Sequence, residues 1–251
     1  MAARNSYGVD VGGSSIKHAL VDSAGQLISS LAHTPTPQPS LPDSLVAAIS
    51  KLSAAAPADV PIGVALPSVV RSGIIMTAAN VDHALIGCPI VARLVAATGR
   101  AVACLNDADA AGLAEVHWGA GRGVAGVVMV LTFGTGIGSG LFTDGRLVPN
   151  TELGHLQMGA LEAEQRASAR VRTAEGLDWP AWAERVNEYL ALIDALFWPE
   201  LIVIGGGVVE NYAQFAPHLR ARASLLPARL GAGAGVAGAA LAALTVQKAT
   251  A

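Results

Sequence analysis

The sequence predicts an α/β protein built as two related lobes. Three observations carry that prediction: a strand–glycine–strand unit over residues 7–21, a second over residues 126–142, and between them a short apolar strand stopping at Asn106 and Asp107. Ala101-Val-Ala-Cys-Leu105 is five small or aliphatic residues in a row, the mark of a buried strand. Helical spacing resumes from Ala108 to Trp118, so the amide and the carboxylate stand at a strand's carboxyl end, where open α/β sheets collect ligands. Asp107 reads two ways there: as a base that takes a proton from a hydroxyl attacking phosphorus, or as the N-cap of the following helix. The glycine units on either side favour the first.

Tyr7 to Val21 ends its opening apolar run at Asp10 and turns at Gly12-Gly13. A diglycine turn admits positive φ and close approach of a ligand. Its successive amides make an anion cradle, to which Ser14 and Ser15 add hydroxyls and Lys17 a charge. An ordinary β-hairpin is the plain alternative. The phosphate loop G-x-x-x-x-G-K-[ST] is absent. His33 to Pro42, with four prolines, is a surface loop, and Leu45 to Leu52 is spaced as a helix. Pro61 to Pro67 is another buried strand. In the polar stretch Thr77 to Asp82, Asn80 suits a sugar hydroxyl or an Asx-turn. Val91 to Ala97 is a short helix ended by Gly99.

Gly126 to Phe142 repeats the first unit's plan, with Gly134, Gly136, Gly138 and Gly140 alternating with Thr135, Ile137 and Ser139. This loop opens into a strand and an Asp144-Gly145 turn, which rules against a dinucleotide fingerprint. Two such loops around a central carboxylate point to lobes that clamp a phosphate chain. Glu152 and His155 are close enough in sequence to meet on one ligand, whereas a metal role for His155 lacks a Cys or His partner in 156–172. Residues 162–172 read as a solvated helix face, with Glu164 reaching inward. Asp178 caps a helix over Trp179 to Phe197, whose Trp182, Val186, Tyr189, Ile193 and Leu196 form a buried stripe. Leu201 to Gly207 is a strand running into a glycine turn at Gly206, able to approach a nucleotide or simply a tight connection. Arg220 to Arg229 reads as exposed, and Gly231 to Leu244 as a Gly/Ala helix suited to tight packing.

Composition narrows the partners. The 251 residues are 52% hydrophobic and 14% charged with net charge -3, which argues for a large core and against nucleic acid or an anionic membrane. No run approaches the roughly 20 apolar residues that span a bilayer. The first strand begins near Tyr7 with no signal-peptide core before it, and Cys88 and Cys104 lack metal spacing. A cytoplasmic protein with reduced thiols is expected.

Gly8-Val-Asp-Val-Gly-Gly-Ser14, Leu105-Asn-Asp-Ala-Asp-Ala-Ala111, Leu131-Thr-Phe-Gly-Thr-Gly-Ile-Gly-Ser-Gly140 and Glu152-Leu-Gly-His155 resemble, in order, the motifs of the ROK family of the actin-like (ASKHA) superfamily. Thr77-Ala-Ala-Asn-Val-Asp82, Val148 to Leu156 and Ala195 to Leu201 resemble its polyphosphate glucokinase subgroup. The cysteine-rich zinc motif of most ROK members is missing, so no zinc is expected.

The resemblance implies two actin-like (ribonuclease H-like) lobes with a central cleft. They would cover 1–106 and 107–237, with a final helix at about 238–251 packing back on the first, commonly in a homodimer. It implies phosphoryl transfer from polyphosphate or ATP to the 6-hydroxyl of glucose or mannose, with Asp107 as base. Asn80, Asn106, Glu152, His155 and Glu164 would hold the sugar with it. Asp10 would place Mg²⁺ through water. Gly12, Gly13, Ser14, Lys17, Thr132, Gly134, Thr135, Gly136 and Gly206 would surround the donor. Ser68, His83, Glu210 and Ala232 to Gly235 depart from the usual pattern. Scarce lysine weighs against a long polyphosphate; Arg71, Arg93, Arg122, Arg146 and the arginines at 220–229 keep one in play. A sugar-responsive repressor is disfavoured, because the six residues before the first strand leave no room for a helix-turn-helix. An inactive sugar-binding protein is disfavoured by the intact Asp10, Asp107 and loops.

Overall fold

The structure, a computed structural model, describes residues 5–79 and 81–249. The chain divides into two compact units, one running through Ala114 and resuming at Gly233, the other Glu115–Ala232.

The first unit is built on a five-stranded sheet of β1 (Ser6–Val11), β2 (Ser15–Val21), β3 (Ala32–Pro35), β4 (Ile62–Leu66) and β5 (Val102–Asn106), in the order β3-β2-β1-β4-β5. β1, β4 and β5 run parallel, and β2 and β3 are antiparallel additions. Every residue of β4 is buried, as expected of a parallel strand covered on both faces. Val64 faces a core with Leu45 and Ile49 of α1 (Pro42–Ser53) and Leu94 of α2 (Ile90–Thr98). Its neighbour Ala65 faces the other way, onto Ala110 of α3 (Asp107–His117). Gly99, at φ 67°, ends α2, and its N–H closes on the Val95 carbonyl.

The second unit repeats that sheet. β6 (Val127–Phe133), β7 (Ile137–Thr143), β8 (Arg146–Val148), β9 (Leu201–Gly205) and β10 (Ser224–Pro227) lie in the order β8-β7-β6-β9-β10, with the same pattern of parallel and antiparallel pairs. Asp144 and Gly145, at φ 49° and 75°, make the β7–β8 turn, as the Asp-Gly pair predicts. Three helices precede β9: α4 (Ala163–Ala167), α5 (Ala169–Ala174) and α6 (Trp179–Phe197). The Asp178 carboxylate accepts the Ala181 N–H and starts α6. Trp182, Val186, Tyr189 and Ile193 are buried, but Leu196 is 60% exposed. α6 ends one residue later and turns outward at Trp198, in the left-handed region at φ 48°. Trp182 meets Phe133 and Phe215 edge-on at 5.6 and 5.0 Å, and its ring N–H donates to the Ala167 carbonyl.

The arginines at 220–229 are less available than expected. Arg220 pairs with Glu184, and Arg222 lies 3.3 Å over the Trp198 ring and donates to the Asp194 carbonyl. Glu115, 1% exposed, opens the unit. Its carboxylate accepts the Ala120 N–H at 2.9 Å and those of Arg229 and Leu230, each at 2.8 Å.

α7 (Ala234–Ala249) belongs to the first unit and packs across β1, β4 and β5. Glycines make the approach possible. A Cβ on Gly8 or Gly63 would overlap the backbone of Val236 or Ala239, and one on Gly238 would overlap the Ala110 carbonyl. This backbone-on-backbone seam ties α3 into the first unit as far as Ala114, so the units part within α3, beyond the 106/107 junction expected from sequence.

Candidate functional site

In the first unit, the loop between β1 and β2 is held by its carbonyls. Thr36 Oγ1 donates to the Gly12 carbonyl at 2.6 Å, and the Gln38 amide to that of Gly13 at 2.9 Å. In a trans peptide the next N–H points opposite to the carbonyl, so the amides of Gly13 and Ser14 face away from these anchors. Amides turned away from their anchors are what an anion contact at this loop would need. The Gly12 N–H closes the turn on the Ser15 carbonyl at 2.9 Å. The expected positive φ is not found at Gly12 or Gly13. Gly12 is needed because a Cβ there would come 2.9 Å from the Ser15 oxygen. Beside the loop, Lys17 Nζ and Asp10 Oδ2 form an ion pair at 3.2 Å, with Gly235 packed against the carboxylate.

At the end of β5 the two readings of Asp107 separate. Asn106 caps the helix: its Oδ1 accepts the Ala108 N–H at 2.8 Å and the Asp109 N–H at 3.1 Å. Asp107 is the first residue of α3, and its Oδ1 accepts the N–H of its neighbour Ala108 at 2.8 Å. The Asn106 side-chain amide reaches back to the Ser68 carbonyl at 3.5 Å. Ser68 itself is 2% exposed, just beyond β4. Asn80 lies outside the described residues. Asp82, two residues on, caps the short turn His83–Leu85 by accepting the Ala84 N–H, which leaves His83 on the surface.

In the second unit, Thr132 stands near the end of β6, and Gly134, Thr135 and Gly136 form the loop to β7. The Gly134 N–H closes on the Gly136 carbonyl at 3.0 Å, while the Gly134 carbonyl accepts the Arg170 N–H at 3.1 Å. The Thr135 amide therefore faces away from Arg170. Gly206, at φ 84°, lies against the Phe133 backbone where no Cβ would fit. That contact explains the glycine without a nucleotide. Glu210 is exposed in the turn that follows.

Glu152 and His155 bracket the turn Leu153–His155. His155 Nδ1 lies 2.8 Å from Glu162 Oε2, and Nε2 lies 3.9 Å from Glu152 Oε2. The Glu162 hydrogen bond holds the imidazole pKa above its usual value, while burial raises that of Glu152. Glu162 was missed in the sequence, where it reads as part of a solvated face; it is the N-cap of α4, in a capping box with Gln165. Glu164 does turn inward, but onto the second glycine loop. Its Oε2 accepts the Ile137 N–H at 3.4 Å and fills the space over Gly136. His155, Glu162 and Glu164 have ligand atoms within 4.8 Å of one another, a spacing that also suits a metal ion. The sequence offers His155 no Cys or His partner in 156–172, and the partners found here are carboxylates.

A sequence model of the ROK family matches residues 6–171. The chain belongs to the ROK family. Among ROK relatives, it is 43% identical to the polyphosphate glucokinase of Mycobacterium tuberculosis (strain CDC 1551 / Oshkosh), over 95% of this chain and 91% of that protein. The crystal structure of inorganic polyphosphate/ATP-glucomannokinase from Arthrobacter sp. strain KM superposes with a TM-score of 0.90 at 41% identity, covering 96% of this chain and 99% of that one. A ROK glucokinase from Streptomyces griseus, solved with glucose and AMPPNP, matches with a TM-score of 0.82 at 25% identity, covering 96% and 99%. The fold is thus the actin-like fold of ROK sugar kinases. Among the described residues, no helix is long and apolar enough to cross a membrane.

Proposed function

We infer that this protein is a sugar kinase that transfers a phosphoryl group from polyphosphate or ATP to glucose, at the 6-hydroxyl, with Asp107 as the base. Similarity to the polyphosphate glucokinase and the glucomannokinase supports the activity and both donors. The observation that carries the residue assignment is the cap at Asn106. Because Asn106 takes the helix amides, the carboxylate at the strand end is not the N-cap. The sugar oxygen attacks the terminal phosphorus, the bond to the donor's bridging oxygen breaks, and the hydroxyl proton passes to Asp107.

Glu152 and His155, the latter oriented by Glu162, serve the sugar hydroxyls together with Asn80 and Asn106. The amides of Gly13, Ser14 and Thr135 and the Lys17 ammonium hold donor phosphates, with Thr132, Gly134, Gly136 and Gly12 shaping the loops. A carboxylate beside a phosphate loop suits Mg²⁺ held through water, and Asp10 supplies it. When bound, the ion would neutralise donor charge. Free thiols at Cys88 and Cys104 accord with a cytoplasmic setting. The exposed pair Leu196 and Trp198 offers a second copy an apolar contact in the homodimer that the family resemblance implies.

The test is an assay for glucose 6-phosphate, with ATP and polyphosphate supplied separately and mannose as the alternative acceptor. Turnover of glucose with polyphosphate is expected, and none with 6-deoxyglucose. No product from either hexose with either donor would overturn the reading.

A further inference from the structure

Ile137, where the second glycine loop becomes β7, is approached from two sides by the segment assigned to the sugar. Glu164 Oε2 accepts its N–H at 3.4 Å. Gly154, between Glu152 and His155, lies against its carbonyl so closely that a Cβ would overlap the oxygen. The same segment is laced further along β7. Ser139 Oγ donates to the Thr151 carbonyl at 2.6 Å and accepts the Leu153 N–H at 3.0 Å, and the Thr151 hydroxyl donates to the Ser139 carbonyl at 3.0 Å. Glu164 is the side chain that reaches in both directions. It touches the donor loop at Gly136 and Ile137, and its carboxylate lies within 4.8 Å of ligand atoms of both His155 and Glu162.

We propose that Glu164 is a positioning residue that couples the two substrates, so that sugar held at Glu152 and His155 fixes the loop at 134–137 for the donor. This rests on the sugar-kinase reading and adds a coupling role to the sugar contact expected of Glu164. Ordering His155 and Glu162 around a sugar removes freedom from Glu164, and through it from the loop. The donor then binds a loop already ordered, and by linkage the sugar gains by the same factor.

The experiment measures donor affinity by calorimetry with Mg²⁺ present, for ATP and for polyphosphate, with and without saturating 6-deoxyglucose. That sugar lacks the accepting hydroxyl, so no transfer occurs. In the wild-type protein the sugar should tighten the better donor about tenfold, within the usual span of coupling between sites. Glu164→Ala should reduce that ratio to within about twofold of unity. Glu164→Gln, whose amide oxygen still accepts the Ile137 N–H, should keep at least about fivefold. No coupling in the wild type, an unchanged ratio in Glu164→Ala, or equal loss in both variants would overturn the proposal. Absence of turnover in the wild-type assay above would instead overturn the kinase reading, so the two failures are distinct.

Discussion

The two units share one sheet plan and differ in what their last strands deliver. In the first, β5 ends on Asn106 and leads straight into α3 at Asp107; in the second, β10 ends on Pro227, and the next α-helix along the chain, α7, belongs to the first unit. Connections differ too. Between β3 and β4 the first unit places a single helix, α1, whereas between β8 and β9 the second carries Glu152, His155, Glu162 and Glu164 and three helices. A repeated scaffold therefore supplies matching glycine loops after β1 and β6, while Asp107 and the group from Glu152 to Glu164 come from features that do not repeat.

The comparison breaks most readily at Asp107. Asp107→Asn should lower kcat by about 10³-fold while leaving glucose binding measurable, a loss in the range of a general base. Rates measured at saturating glucose check this, and retained turnover would remove the asymmetry. Next in size is the seam between α7 and the sheet of the first unit, built on its glycines. Gly63→Ala sets a methyl group against the backbone of Ala239 and should destabilise that unit by about 1–3 kcal/mol. All four tryptophans, Trp118, Trp179, Trp182 and Trp198, lie in the second unit. Urea unfolding followed by circular dichroism should thus move to lower denaturant than unfolding followed by indole emission. Coincident shifts would show that the units unfold as one. Asn106→Ala removes the cap of α3 and should cost about 1 kcal/mol of stability. With Asn106 also serving the sugar, the variant should raise KM for glucose as well as lower kcat.

The smallest effect separates the units by pH. Burial, helped by the charge of His33, pushes the His18 pKa below its usual 6.5, whereas the Glu162 hydrogen bond pulls that of His155 above 6.5. The stability tied to His18 is present above the unfolded value and is lost as pH falls through the folded one. That tied to His155 is present below 6.5 and is lost as pH rises through its folded value. Ring-proton titration by NMR should place the midpoints on opposite sides of 6.5, and Glu162→Gln should bring that of His155 downward. Two midpoints on the same side would end this contrast.

Much of the framework was legible in the chain. The strand–glycine–strand units, the strand ending at Asn106 and Asp107, the Asp-Gly hairpin and the Asp178 cap are local patterns, and each stands where its residues place it. What could not be read depends on partners distant in sequence. Gly8 and Gly63 look like ordinary strand residues until Val236 and Ala239 arrive against them. Glu162 looks solvated because its neighbours are charged, and only the return of the chain brings it to His155. Asp107 and Asn106 are equally good cap residues by type, yet it is the preceding amide that takes the helix N–H groups. Leu196 kept the helical spacing but outlived its helix by being one residue from the end.

Glu115 has a consequence for how such a protein is assembled over evolutionary time. Its carboxylate grips residues 229 and 230, so the entry and exit of the segment 115–232 are neighbours. A stretch whose two ends meet is a cassette: it can be replaced by another of the same span without rethreading the sheet that flanks it. Exchange between relatives at these two seams would transplant the loop at 134–136 together with Glu152, His155, Glu162 and Glu164, and leave Asp107 behind.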